Sequence, residues 1–204
     1  MNQNLPKVAV AMSGGVDSSV AAALMVEQGY PVVGVMLRLW SQACEDGNRC
    51  CTPESVAQAR RIAGQLKIPF YVLDAQDLFY REVVGYFLRE HRRGRTPNPC
   101  LICNSTVRWG YLLRQIGALG ASALVTGHYA RVQRGPDGIY RLLRAVDEKK
   151  DQSYVLSGLV QEQLAHTIWP LGEWLKPQVR EKALALGLEV ASKPDSKDLC
   201  FVDG

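Results

Sequence analysis

Two groups of residues in this chain have chemistry to offer. The first is Ser13-Gly14-Gly15-Val16-Asp17-Ser18-Ser19, which follows the apolar run Val8-Ala9-Val10-Ala11 and opens an amphipathic run from Val20 to Gln28. A strand that feeds a Gly-rich turn and then a helix makes an anion site, because free backbone N–H groups and the positive end of the helix dipole converge there. Gly14 and Gly15 allow close backbone approach and φ > 0. Ser13, Ser18 and Ser19 offer hydroxyls to phosphate oxygens. Asp17 repels an anion unless a cation intervenes, so it is expected either to reach Mg²⁺ or to brace the loop.

The second group is sulfur. Cys100-Leu101-Ile102-Cys103 is preceded by Thr96-Pro97-Asn98-Pro99, and Cys200 lies far along the chain in Asp195-Ser196-Lys197-Asp198-Leu199-Cys200-Phe201. The two prolines stiffen the approach, which suits a loop presenting reactive sulfur to a ligand. A lone C-x-x-C is open among zinc, thiol redox and iron–sulfur chemistry. Cys200 by itself reads equally well as a small buried hydrophobe. Cys44, Cys50 and Cys51 fall in the polar stretch from Ser41 to Thr52, expected to be a loop closing over the site rather than a metal centre. Arg92, Arg93, Arg95 and Arg108 are close enough in sequence to hold a thiolate in a positive field and to meet phosphates. Asp195 and Asp198 read as fixing the last loop or touching Mg²⁺. His91 and His166 have no partner pattern.

Positioning these groups takes strands alternating with helices. Pro31–Leu39, Phe70–Leu73 and Ala123–Thr126 read as buried strands beside the first. Helical periods cover Pro53–Lys67, with Thr52 as N-cap, and Leu78–Arg93 and Thr106–Ala118. A hairpin is expected from Ala130–Arg134 and Ile139–Arg144 around Gly135–Gly138, then a mainly helical tail with a helix from Lys176 to Leu186 closing at Gly187. This order predicts an α/β fold with a doubly wound parallel sheet, whose ligands sit outside the carboxyl ends of the strands. Ser13–Ser19, Trp40, Asp74 and Gly127-His128 all fall at such ends, and His128 is expected to orient a ligand there.

Composition sets the outer limits. The chain has 204 residues, 47% hydrophobic and 22% charged, which fits one folded domain rather than a disordered segment. No apolar run is long enough to cross a bilayer, and the first residues do not read as a signal peptide, so a cytoplasmic protein is expected. Structural disulfides are then not expected. A net charge of +4 suits a nucleic-acid partner without requiring one.

The loop lacks the Gly-Lys-Ser/Thr ending of a Walker motif. It resembles instead the pyrophosphate loop (PP-loop) of the ATP pyrophosphatase superfamily, which splits ATP to AMP and pyrophosphate while activating an oxygen of the substrate. Over the whole chain the likeness narrows. AMSGGVDSSVAA, GRTPNPCLICN, TGHYAR, LLRAVDEKKDQSYVL, KPQVR and KPDSKDLCF follow one another in order. Together they resemble the catalytic domain of the tRNA-specific 2-thiouridylase family, which makes 2-thiouridine at the wobble position of tRNA.

That resemblance implies an adenine nucleotide alpha hydrolase-like fold with a helical tail. It makes residues 1–204 the thiolation catalytic domain, the family continuing into two further β-rich domains that grip tRNA. It implies ATP contacts at Ala11, Met12, Ser13, Gly14, Gly15, Val16, Asp17, Ser18, Leu37 and Gly127. Asn98, Pro99 and Cys100 would lie against the target base. Lys150, Asp151 and Gln152 would touch tRNA, with His128 beside them. Cys103 would be the nucleophile and Cys200 the second sulfur-carrying cysteine. The implied partners are the anticodon loop of tRNA and a sulfur donor, such as a cysteine desulfurase or a sulfur-carrier protein, acting on a monomer with no membrane. ATP and Mg²⁺ are the implied cofactors.

The chemistry explains the residue types. The oxygen on uridine C2 leaves poorly; adenylation converts it to an AMP ester, and sulfur then displaces AMP. The sulfur must arrive as persulfide or sulfide, because a plain thiol leaves the protein attached to the base. An anticodon loop is single-stranded, so freeing the base costs only a few kcal/mol. One departure matters: many family members carry Asp where this chain has Cys100. Cys100, Cys103 and Cys200 are the right number of thiolates for a 4Fe-4S cluster with one open iron, as in related thiouridine synthases. The persulfide or disulfide reading stands beside it, with Cys100 then dispensable or limited to reducing the spent site. Three rival readings stay open: another AMP-forming PP-loop enzyme (an amide ligase or a different tRNA thiolase), a non-catalytic ATP-binding module, and a truncated, inactive piece of a longer enzyme.

Overall fold

The computed structural model describes residues 5–40, 52–194 and 200–201. Five strands form one parallel sheet: β1 (Val8–Ala11), β2 (Val32–Arg38), β3 (Phe70–Asp74), β4 (Ala123–Val125) and, further along the chain, Thr167–Ile168. Two more strands, β5 (Ala130–Arg134) and β6 (Tyr140–Arg144), pair antiparallel as the expected hairpin, Ala130 opposite Arg144. Counting these, Thr167–Ile168 is β7, and the sheet order is β3-β2-β1-β4-β7. From β1 the chain runs outward through β2 and β3, then returns to β4 on the other flank. The carboxyl ends of β1 and β4 therefore form the switch point where such sheets bind ligands.

Strand alternation feeds two cores. Val8, Val10 and Met12 with Met36 and Val125 face α1 (Val16–Glu27), α2 (Pro53–Gln65) and α7, defined below; Ala9, Val33, Val35, Leu37 and Leu124 face the opposite layer. That layer is built on two long helices, α3 (residues 76–92) and α4 (residues 99–118). Each widens to π-helical hydrogen bonding in its middle, at Tyr80–Val84 and Cys103–Leu112. Two short helices, α5 (Ser153–Leu156) and α6 (Gln161–Ala165), lead into β7, and α7 (Lys176–Ala185) packs against α1, where Lys182 Nζ meets Glu27 Oε1 at 2.7 Å.

The structure departs from the sequence reading in four places. α1 is not amphipathic: from Ser18 to Met25 every residue is buried, since sheet and α7 enclose it. α4 begins at Pro99 rather than Thr106, so the C-x-x-C is not a stiff loop but the opening turns of a helix. Pro99 suits the first helical position and the Asn98 side chain caps it, accepting from the N–H of Cys100 at 3.1 Å and of Leu101 at 3.4 Å. β7 has only two residues and no period to detect. Trp40 and Asp74 do not reach the switch point: Trp40 stacks on Tyr80 with ring centroids 6.2 Å apart, and Asp74 pairs with Arg38 and accepts from the N–H of Gln76 at 3.0 Å. Among the described residues no helix is long and apolar enough to cross a membrane.

Candidate active site

A crevice of about 390 Å³ opens at the β1/β4 switch point. Its floor is the loop between β1 and α1. Gly14 has φ +73°, and a Cβ there would come within 2.7 Å of the Ser55 carbonyl oxygen at the start of α2. Only glycine satisfies both conditions. Gly15 does not share them: it is the extended N-cap of α1, φ −99°. Gly127 is demanded by contact instead, since a Cβ would sit 2.7 Å from Asp17 C and from Ser18 N. The absent side chain lets the end of β4 abut the first turn of α1. Ser13 and Ser18 line the crevice and hold each other, with hydroxyl oxygens 3.2 Å apart and the Ser13 N–H donating to Ser18 Oγ at 3.2 Å. Ser19 does not present its hydroxyl; it donates to the Gly15 carbonyl at 2.7 Å.

Asp17 braces this floor. Its Oδ1 accepts from the Tyr129 hydroxyl at 2.9 Å, and Lys176 Nζ lies 2.6 Å and 2.8 Å from its two oxygens. Lys193 Nζ donates to the Gly14 carbonyl at 3.4 Å. Ala11, Met12, Val35, Met36, Leu37 and Leu39 make an apolar wall beside the loop, suited to a flat base.

The opposite wall comes from α4 and from the chain near Cys200. Cys100 is exposed, Cys103 buried and Cys200 half-buried; all three line the crevice, as do Pro99, Asn104, Arg108 and Phe201. Cys103 sits one turn into α4, near the positive end of its dipole. Phe201, next to Cys200, packs edge-on against Phe79 and Phe87, with centroids 5.7 Å and 5.3 Å away. Of the four arginines expected to supply a positive field, only Arg108 lines the crevice, donating to Asn104 Oδ1 at 2.9 Å. Arg93 and Arg95 both bind Glu90, at 2.8 Å each, and Arg92 is exposed on α3. Those contacts, Arg95's first, hold the Glu90 carboxyl below its usual range.

His128 is half-buried beside the Arg108 guanidinium, and desolvation first, then that positive charge, press its pKa down to about 3. It is therefore neutral at pH 7. Arg108 Nη1 lies 3.4 Å from Nε2 and only donates, so Nε2 accepts and the ring proton sits on Nδ1, 2.7 Å from Thr126 Oγ1. Lys150 and Gln152 line the crevice, and Gln152 Oε1 accepts from the Tyr129 N–H at 3.1 Å. Asp151 is turned inward instead. Burial raises its pKa, but the Ser153 hydroxyl and the N–H groups of Ala145 and Ser153 outweigh it and leave the carboxyl below its usual range. Asn98 likewise spends its side chain on the α4 cap and is not among the lining residues.

The expectations for Cys44, Cys50, Cys51, Asp195 and Asp198 lie outside the described residues. Sequence reasoning missed Lys176, Tyr129, Asn104 and Phe201 as site residues, although each lies in or beside a segment quoted above.

Donor chemistry tests the implied metals. Mg²⁺ takes one or two carboxylates and completes its shell with phosphate and water, so Asp17 fits once Lys176 moves aside. The cluster does not fit: among the described residues no three His, Cys, Asp or Glu side chains are grouped to hold a metal.

A parallel β3-β2-β1-β4-β7 sheet with a Gly-rich anion loop at its switch point defines an α/β nucleotide-binding domain of the PP-loop class. The chain belongs to the family described as "tRNA methyl transferase HUP domain", whose profile matches residues 6–204. It is 52% identical over 198 residues to the tRNA-specific 2-thiouridylase MnmA of Heliobacterium modesticaldum, covering 96% of this chain and 51% of that protein. To the protein of the same name from Acidothermus cellulolyticus it is 54% identical over 199 residues, covering 96% and 55%. The chain thus spans about half the length of the curated relatives it matches. Among solved structures, a 4-thiouridine synthetase–RNA complex with bound ATP matches its fold with TM-score 0.57 at 19% identity, over 96% of this chain and 45% of that one.

Proposed function

We propose that the chain is the catalytic unit of an ATP-dependent tRNA thiolase that converts the wobble uridine to 2-thiouridine. The observation carrying this reading is that Cys103 and Cys200 line the same crevice as the Gly14–Ser18 anion loop. The names of the relatives support tRNA as substrate, and their greater length leaves room for further tRNA contacts.

In this reading uridine O2 attacks the α-phosphorus of ATP, and pyrophosphate departs onto the N–H groups of the loop and the Ser13 and Ser18 hydroxyls. Asp17 would hold Mg²⁺, which would supply charge neutralisation to the phosphates. The apolar wall from Ala11 to Leu39 receives adenine, with Leu37 as packing. Cys200 carries a persulfide loaded by a cysteine desulfurase or a sulfur carrier. Its terminal sulfur attacks C2 of the adenylated base and AMP leaves with the oxygen. The Cys103 thiolate then attacks the Cys200 sulfur, forming a protein disulfide and releasing the thiolated base; an external thiol restores both cysteines. Cys103 attacks from one turn into α4, on the wall it shares with Arg108. Neutral His128 keeps Arg108 oriented, and its own Nδ1 proton stays directed at Thr126 Oγ1. Lys150 meets the anticodon loop near the mouth.

Incubation with ATP, Mg²⁺, a persulfide donor and unmodified tRNA, followed by mass analysis of nucleosides, tests this. Cys103→Ser is expected to abolish 2-thiouridine while pyrophosphate release continues. Product formation by that variant overturns the role of Cys103; AMP release without any thiolated nucleoside in the parent chain favours the amide-ligase reading.

A further inference from the structure

Lys176 opens α7, with its N–H donating to Asp147 Oδ2 at 2.8 Å. Its side chain crosses to α1 and grips both oxygens of Asp17, at 2.6 Å and 2.8 Å, with Nζ 5.7 Å from the Tyr129 ring centroid. The side chains of Lys176 and Asp17 are 10% and 32% exposed, and both line the crevice beside Ser13 and Ser18. The pair thus stands at the edge of the anion loop rather than inside the core.

That placement is awkward for a permanent strut. A carboxylate facing an anion loop lowers phosphate affinity, and an ammonium locked on that carboxylate is withheld from the phosphates. A nucleoside triphosphate arriving with its divalent cation offers each group a better partner. The backbone of Lys176 is pinned by Asp147, while its four-carbon stem is flexible enough to redirect the charge. Asp17 keeps the Tyr129 hydroxyl throughout.

We propose that Lys176 is a polyphosphate-binding residue held in reserve by Asp17: as the nucleotide enters, its ammonium leaves the carboxylate for phosphate oxygens and Asp17 is released to the cation. This rests on the ATP reading of the crevice given above.

The test uses the full chain with ATP and Mn²⁺ alone, without tRNA or sulfur donor. Lys176→Met is expected to weaken ATP binding about tenfold to a hundredfold. The same variant is expected to bind Mn²⁺ more tightly than the parent in the absence of nucleotide, read by electron paramagnetic resonance, because Asp17 has lost its internal cation. Adding Asp17→Asn should erase that gain. A purely structural strut predicts weakening of both ligands or of neither. Should Lys176→Met fail to fold, an acyl phosphate of ATP applied to the parent chain reads the same contact. Acylation of Lys176, competed by ATP, is expected; labelling only of other lysines overturns the proposal. Unchanged ATP affinity in Lys176→Met overturns this inference alone. A parent chain that binds no ATP overturns the reading of the crevice as well.

Discussion

Gly127→Ala is the sharpest probe of how the crevice floor is assembled. The added Cβ would lie 2.7 Å from two backbone atoms, Asp17 C and Ser18 N, where ordinary contact begins at 3.4 Å. Backbone in the first turn of a buried helix cannot swing away as a flexible side chain does. The floor must open by about 0.7 Å or the strand must twist, and overpacking of this kind costs about 1–3 kcal/mol. For a chain of this length each kcal/mol lowers Tm by roughly 2–4 °C, so a fall of about 2–12 °C is expected. The displaced atoms are those of the anion loop, so ATP binding should suffer too. With ATP at a hundredfold over Kd, the parent gains about 2.7 kcal/mol, or roughly 5–11 °C, and Gly127→Ala should lose most of that gain. Gly29→Ala is the control. Gly29 has φ +83° with nothing within 4 Å of a Cβ, so alanine there brings backbone strain of about 1–2 kcal/mol and no clash. It should lower Tm while keeping the ATP-induced shift. Circular dichroism melts with and without ATP decide the matter. A Gly127→Ala chain that melts within about 1 °C of the parent and keeps the full ATP shift refutes the reasoning.

Two other predictions concern the catalytic wall. His128 is held neutral in the fold, with a pKa of about 3 against 6.5 for a free histidine, so the unfolded chain takes up the proton first. Stability is therefore retained above pH 6.5 and lost as pH falls below it; between pH 7 and 5.5 the loss should be about 1 kcal/mol, and His128→Gln should flatten that slope in urea melts. Asn98→Ala removes the cap of α4 and should cost about 1 kcal/mol, visible as a Tm lowered by roughly 2–4 °C, with Asn98→Asp close to the parent. A drop in tRNA binding with no change in Tm would instead return Asn98 to the base-contact role.

The sheet and the anion loop were legible because their signals are local. Val8–Ala11 and residues 32–37 are continuous apolar runs, and the paired glycines Gly14-Gly15 mark the turn by themselves, although the contact that also demands Gly14 is with the distant Ser55. The rest depended on distance along the chain. Asp17 could be read only as reaching a cation or bracing the loop, since its partner Lys176 lies 159 positions away. Cys100 and Cys103 were placed in a loop because the prolines before them look like breakers; Pro99 at a first helical position, capped by Asn98, has the same local composition. Helical burial was underestimated for α1, as enclosure by α7 leaves no polar face to reveal the period. Arg93 and Arg95 looked like site residues until Glu90 claimed both.

The charge pattern of the crevice ties these results together. Asp17 is met by Lys176, the Gly14 carbonyl by Lys193, and the Asn104 carbonyl and His128 by Arg108. Lys176, Lys193 and Arg108 are thus each directed at an oxygen or nitrogen of the protein itself. A polyanion that enters must compete with those contacts, and a cation arriving with it can compensate what they leave behind. With Lys176 acting as proposed above, such a site would discriminate by exchange: a neutral ligand of the right shape would gain the apolar wall but release no ammonium, whereas a metal-bound triphosphate would gain both. Burial likewise separates Cys103 and Cys200 from Cys100. Cys103 is buried and Cys200 half-buried in the crevice wall, while Cys100 is exposed and its backbone N–H is already spent on Asn98. The function proposed above accordingly places its sulfur chemistry on Cys103 and Cys200, with the exposed Cys100 outside it.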